Sequence, residues 1–275
     1  KVMRREALTV RVSGDVVDTC GTGGDGLSTF NISTVSAFVA SGAGARVAKH
    51  GNRAYTSPCG SADLLEALGI AIELLPEEVA LCVEQIGIGF MFAPIYHPAM
   101  KHAAAPRKEI GVRTVFNTLG PLTNPAGATV QLLGVSSPQL VPILGEVLAL
   151  LGSRRALVVH GEDGLDELSL SGCTHVFEIS NGFTRSYSVV PEDVGLRRFP
   201  SKALVGGSAT QNAAIAERVL SGEQGPRRDV VLLNAGAALY AAGIVGSLKE
   251  GVNAAAESID SGAAADKLVA LRSLS

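Results

Sequence analysis

No uninterrupted apolar stretch in this chain approaches the roughly twenty residues of a membrane-spanning helix, which excludes that architecture. No internal repeat or low-complexity segment stands out, which removes the repeat folds. Charge of neither sign dominates: 23 basic and 26 acidic residues leave a formal charge of −3. Nucleic-acid and membrane surfaces both ask for a basic excess, so neither is expected as a partner. Cysteine is sparse, with Cys20, Cys59, Cys82 and Cys173 far apart and no C-x-x-C pair among them. That spacing argues against a disulfide framework or a zinc site and reads as reduced thiols in a cytoplasmic protein.

What is present suits a compact enzyme. Over 275 residues, 47% are hydrophobic and 18% charged, enough to bury a large core in something between one big domain and two. Apolar runs and helical spacing alternate along the chain. The apolar run Val16-Val17 reads as a buried strand, Asn31 to Gly42 follows as a helix, and Arg46 to Lys49 is a second short strand. Helices over Ser61 to Leu68 and Glu77 to Ile86 lead to a strand at Gly89 to Phe92. Strands at Val130 to Val135 and Ala156 to His160 flank a helix at Leu140 to Leu151. Such alternation predicts an α/β fold with a mostly parallel central sheet flanked by helices. Val176 to Ile179 and Thr184 to Val190 predict a hairpin around Asn181-Gly182, the pair a type I′ turn favours. From Thr210 to Leu274 the chain is alanine-rich and helical, with breaks near Gly222, Gly243 and Ser261.

The chemistry concentrates at Gly21 to Gly26, GTGGDG, followed by NIST at Asn31 to Thr34 and KHGNR at Lys49 to Arg53. Four glycines in six positions let the backbone approach a ligand and present consecutive N–H groups to phosphate. Asn31, Ser33 and Thr34 form the cap and first turn of a helix whose free N–H groups and positive dipole end face that loop. A dinucleotide site wants an acid about 20 residues after the loop, yet no Asp or Glu occurs between Asp25 and Asp63. Arg46, Lys49 and Arg53 stand in that window instead. A P-loop needs Lys-Ser or Lys-Thr directly after its last glycine, where this chain has Leu27-Ser28. An anion cradle holding Asp25, with cations downstream, is what remains, suited to a substrate with several phosphate charges and either sugar hydroxyls or a metal.

Four motifs in order, DTCGTGGDGLSTFNIST, AKHGNRAYTSPCGSADLLEALG, FNTLGPLTNP (Phe116 to Pro125) and VVHGEDGLDEL (Val158 to Leu168), resemble the anthranilate phosphoribosyltransferases over essentially the whole chain. The resemblance implies transfer of the phosphoribosyl group of 5-phosphoribosyl 1-diphosphate to the amine of anthranilate, with release of diphosphate, in tryptophan biosynthesis. It further implies a magnesium cofactor, two ions per chain, and a small all-helical domain beside the α/β domain through which the family dimerises. In this chain that helical domain is expected to be incomplete at its N-terminal side. The expected organisation is a remnant at 1–12, the α/β domain at 13–96 and 123–275, and an excursion into the helical domain at 97–122. A homodimer is expected of the full-length protein.

Matching positions imply a donor site of Gly21, Gly24, Asp25, Thr29, Asn31, Ser33, Thr34, Lys49, Asn52, Arg53 and Ser61, with Lys49 and Asp25 stabilising the transition state. Anthranilate is expected against Gly21, His50, Asn52, His97 and Arg107, the last a guanidinium fork for its carboxylate. Pro106 departs from the family pattern and predicts a kink beside Arg107. Asp166 and Glu167, just after a strand end, and Ser33 are the implied metal contacts. Two other readings of the fold are a nucleoside phosphorylase-like glycosyltransferase, which predicts a different lysine-centred motif, and a non-enzymatic nucleic-acid-binding relative, which predicts eroded motifs and a basic groove.

Overall fold

The computed structural model describes residues 2–54, 57–102, 109 and 114–275. Its seven strands, β1 (Val17–Gly21), β2 (Val47–Gly51), β3 (Ile88–Phe92), β4 (Val130–Gly134), β5 (Arg155–Gly161), β6 (Thr174–Ser180) and β7 (Phe183–Val189), form one sheet in the order β3-β2-β1-β4-β5-β6-β7. Pairing is parallel from β3 through β5 and antiparallel for the last two strands. The expected hairpin forms, and both turn residues are left-handed, Asn181 at φ 49° and Gly182 at φ 87°, as a type I′ turn requires.

Side-chain alternation along the strands divides the core in two. Leu133, Ala156 and Val158 face one way, onto Val141, Leu144 and Leu148 of helix α4 (Leu140–Leu150). Leu132, Leu157 and Val159 face the other way, into the larger cluster. There the sheet is covered by α1 (Ile32–Gly42) and by the C-terminal helices α5 (Ala209–Leu220), α6 (Pro226–Ala242), α7 (Leu248–Asp260) and α8 (Ala263–Leu274), while α2 (Ser61–Ala67) and α3 (Pro76–Gln85) join β2 to β3. Helix α6 is buried on nearly every side, from Val230 through Leu239, the signature of a central core helix. It crosses α7 so closely that a side chain on Gly236 would strike the Gly251–Val252 backbone.

Most element boundaries shift from the sequence reading by one or two residues, β2 running on to Gly51, but β1 extends four residues past Val17 to Gly21. Among the described residues no helix is long and apolar enough to cross a membrane. The topology matters most at β1 and β4. These neighbours lie where strand order reverses, and in open parallel sheets the crevice beyond the C-terminal ends of such strands receives ligands. Gly21 pairs with Gly134 at that edge.

Candidate functional site

A cavity of about 300 Å³ opens at this edge, lined by the glycine loop, the start of α1, the end of β2 and the turn after β5, and another of about 310 Å³ lies by His97. Gly23, Gly24 and Gly26 take left-handed conformations at φ 66°, 76° and 77°, which a side chain would strain. The loop is tied to the acidic turn, since Gly23 N donates to Asp166 Oδ2 at 2.7 Å. Asp25 Oδ1 accepts from Leu27 N at 3.1 Å.

The turn after β5 is built around its carboxylates. Asp163 Oδ2 accepts from the hydroxyls of Ser169 at 3.0 Å and Ser171 at 2.6 Å, closing the base of the turn. Asp166 then passes directly over two glycines. A methyl on Gly21 would come within 2.5 Å of its Oδ2, and one on Gly134 would overlap its carbonyl. Gly134 is therefore needed for the path of the turn, while a side chain on Gly21 would displace the Asp166 carboxylate. Asp166 keeps an edge toward the cavity, yet desolvation and the charge of Asp25 push its carboxyl up to about 7. Glu167 is buried, and burial followed by repulsion from Asp166 raises it well above the carboxylate range. Its Oε1 accepts from Ser33 N at 3.1 Å. One first-turn N–H of α1, expected to await a phosphate, is thus taken by a protein carboxylate.

Lys49 reaches the same floor from β2. Its ammonium donates to the Thr19 carbonyl and lies 3.4 Å from Ser33 Oγ. Burial lowers its pKa, opposed by the charges of Asp18 and Glu167. Asp18, fully buried in β1, accepts from His50 N at 3.2 Å and is raised by burial against the pull of Lys49. Burial, with His97 beside it, lowers the His50 imidazole to about 3, so it is neutral under ordinary conditions. The two rings meet edge to face with centroids 5.0 Å apart, and Nε2 of each is buried without a hydrogen-bond partner among the described residues.

His97 does not line the glycine-loop cavity. It lines the other one, with Val2, Met3, Glu6, Ala99, Met100 and His102, so the histidine pair forms the boundary between the two spaces. Arg107 and Pro106 lie outside the described residues.

The rim departs from the sequence reading in three places. Asn31 stands at the N-cap position of α1 but makes no capping bond. Its Nδ2 instead donates to the Cys59 carbonyl at 3.1 Å, and its Oδ1 accepts from Asn212 at 2.9 Å. Of the three downstream cations, Arg46 pairs with Glu84 at 2.8 Å and does not line the cavity. Arg53 does line it, but its guanidinium is engaged by Glu66 and by Asp63, 3.1 Å away. Lys49 alone of the three brings its charge to the cradle floor. Gly21, Gly24, Asp25, Thr29, Ser33, Thr34, Asn52 and Ser61 all line the cavity, and Ser61 Oγ donates to the Asn52 carbonyl at 3.2 Å.

Several supporting residues escaped the sequence reading: Asp18, Asp163, Asn212 and Asn234. Asp18 and Asn234 carry a signal in retrospect, because a polar side chain amid apolar neighbours must find a partner when buried; Asp163 and Asn212 directly follow polar residues and carry none. Asp18 sits in an apolar strand and Asn234 in an apolar helix.

The donor set fits magnesium. Two adjacent, desolvated carboxylates with Asp25 near them carry more negative charge than Lys49 offsets, and a divalent cation relieves such repulsion. No group of three or more His, Cys, Asp or Glu side chains forms a metal cage among the described residues. Magnesium needs none, because it is held by one or two carboxylates together with substrate phosphates and waters.

Comparison with known proteins adds independent findings. The model of the glycosyl transferase family a/b domain matches residues 13–265. The anthranilate phosphoribosyltransferase of Symbiobacterium thermophilum is 59% identical over 273 residues, covering 99% of this chain and 80% of the relative. The crystal structure of the Thermus thermophilus anthranilate phosphoribosyltransferase superposes with a TM-score of 0.94 at 52% identity, covering 99% of this chain and 82% of that one. The Saccharomyces cerevisiae enzyme in complex with PRPP (phosphoribosyl diphosphate) and Mg gives a TM-score of 0.90 at 33% identity, covering 99% and 77%.

Proposed function

The chain belongs to the anthranilate phosphoribosyltransferases of the glycosyl transferase family, and from that premise we infer how its cavity carries out the transfer. The reaction joins the anthranilate amine to the ribose anomeric carbon of 5-phosphoribosyl 1-diphosphate and releases diphosphate. The observation that carries the assignment of the site is the convergence of glycine loop, Lys49 and acidic turn on one cavity at the sheet's switch point.

The bond that breaks runs from the anomeric carbon to a diphosphate oxygen; the bond that forms runs from that carbon to the amine nitrogen. Little protein nucleophilicity is required, so positioning and charge stabilisation supply the rate. The Gly24 to Gly26 end of the loop and the positive dipole end of α1 face the diphosphate, with Gly21, Asp25, Thr29, Asn31, Thr34, Asn52 and Ser61 around the sugar and phosphates. Lys49 meets the charge that develops on the leaving group. Asp166, Glu167 and Ser33 would hold magnesium, two ions per chain in this proposal, and the metal would supply positive charge to offset that of the diphosphate. Arg53 joins the donor site by exchanging its carboxylate partners for phosphate.

Anthranilate is proposed to approach from the side of His97, with its carboxylate on Arg107 and its ring near Gly21, His50 and Asn52. The amine loses its proton to solvent after the carbon–nitrogen bond has formed, so no side chain is assigned as a base. The domain proposal keeps 13–96 with 123–275 as the catalytic α/β unit, 1–12 and 97–122 as contributions to the helical domain, and a homodimer formed through that domain.

Mixing the protein with donor, magnesium and anthranilate should abolish anthranilate fluorescence; persistence of the signal across a wide magnesium range would refute the activity. Arg107→Ala is expected to raise the anthranilate KM by about tenfold or more, the worth of a charge-assisted pair, while changing the donor KM about twofold or less. Equal changes in the two constants would remove Arg107 from the carboxylate site.

A further inference from the structure

We propose that Asn234, remote from both substrates, is the positioning residue that holds the acidic turn in its metal-binding conformation. The inference rests on the reading of Asp166 and Glu167 as metal contacts given above. Asn234 lies at the centre of α6, fully buried between Leu233 and Ala235. A carboxamide in such surroundings is costly unless its groups are paired. Its pairing is directed at one residue of the turn. Asn234 Oδ1 accepts from Leu168 N at 2.9 Å, and Nδ2 donates to Leu168 O at 3.0 Å. The second amide hydrogen goes to Val230 O, one turn back on the same helix, at 2.9 Å. The side chain thus meets the backbone of Leu168 as a neighbouring strand would, with one donor and one acceptor, and its orientation is fixed by its own helix.

Leu168 directly follows Glu167, so the clamp sets the direction in which the acid pair leaves the backbone. It complements the other supports of the turn. Asp163 with Ser169 and Ser171 closes the base, while Gly21 and Gly134 leave room for Asp166 at the top. Leu165 and Leu168 pack the turn into the hydrophobic core, and Asn234 adds the paired hydrogen bonds that fix its backbone direction. Groups that orient metal ligands from behind typically change metal affinity about 10–100-fold when removed, and this clamp should behave in the same way through the backbone rather than through a ligand side chain.

The test measures Mn²⁺ binding by electron paramagnetic resonance in the presence of 5-phosphoribosyl 1-diphosphate, for Asn234→Leu, Asn234→Ala and Asp166→Asn beside the unaltered chain. Asn234→Leu keeps the volume and leaves the Leu168 N–H and carbonyl unpaired; Asn234→Ala leaves space for a water to bridge them. Both are expected to weaken Mn²⁺ about tenfold or more, Leu at least as strongly as Ala, with the anthranilate KM changed about twofold or less. A residue that merely fills the core would give the reverse order, since Ala opens a cavity and Leu does not. If Asp166→Asn weakens Mn²⁺ and the folded Asn234 variants bind it normally, the positioning role is overturned and the metal assignment stands. If Asp166→Asn itself binds normally, the metal assignment fails first. Should Asn234→Leu not fold, Asn234→Ala decides the question by the same measurement.

Discussion

Replacing Lys49 with methionine is expected to lower kcat by about 10²–10³-fold, the scale of removing one preorganised charge-stabilising group from a transition state. Methionine keeps most of the stem, so packing in β2 is largely preserved and the loss is electrostatic. The ammonium is the one charge of the downstream basic residues that reaches the cavity floor, where it lies beside Ser33 and donates to the Thr19 carbonyl. Its removal also leaves Asp18 without its opposing charge inside β1. That carboxyl, already raised by burial, is expected to protonate, and the variant should lose stability by up to about 3–5 kcal/mol, the range for breaking a buried pair from one side. Steady-state kinetics and urea unfolding separate the two consequences. A folded Lys49→Met protein whose kcat stays within about tenfold of the original would remove Lys49 from the transition-state role.

A second large effect should follow from adding a single methyl at Gly134. Its Cβ would overlap the carbonyl of Asp166, and the obstruction is backbone, so no side-chain rotation relieves it. Gly134 is also the last residue of β4, paired with Gly21 on one side and Val159 on the other, which prevents the strand from yielding. The acidic turn must therefore move. Overpacking of this kind costs about 1–3 kcal/mol, and displacement of binding groups by about 1 Å costs about 10²-fold in rate. Gly134→Ala should accordingly lose activity out of proportion to its stability, with weakened magnesium dependence. Gly172→Ala is the control from the same connection, since its nearest contact is the end of the Glu162 side chain at 4.0 Å. Near-normal activity in Gly134→Ala would show that the turn tolerates a different path.

Much of this was readable from the chain itself because local chemistry and global position agreed. The glycine loop had to follow a strand and precede a helix, and it does. Asn181-Gly182 specified a turn on its own. The acid pair after β5 belonged at the sheet's ligand-binding edge, where it lies in reach of Gly23 and Ser33. What failed to show was pairing across long sequence distance. Nothing local to Arg46 or Arg53 reveals that Glu84 or Glu66 will take their charge. Asn31 carries every mark of a helix cap, and its diversion to Cys59 and Asn212 depends on an element some 180 residues further on. Asn234 hides in an apolar helix for the same reason, because its purpose lies in a turn 66 residues earlier.

The edge-to-face histidines between the two cavities present an uncharged aromatic surface. Burial keeps His50 uncharged down to about pH 3 and lowers His97 in the same direction. A neutral aromatic boundary offers diphosphate no counter-charge, whereas Lys49 and the loop amides offer several on their own side. A planar aromatic amine loses little by coming up against two imidazole rings. In the proposed arrangement the boundary is one of polarity: the diphosphate is expected to stay with Lys49 and the loop amides, while the anthranilate ring packs against the imidazoles and brings its amine into contact with the sugar.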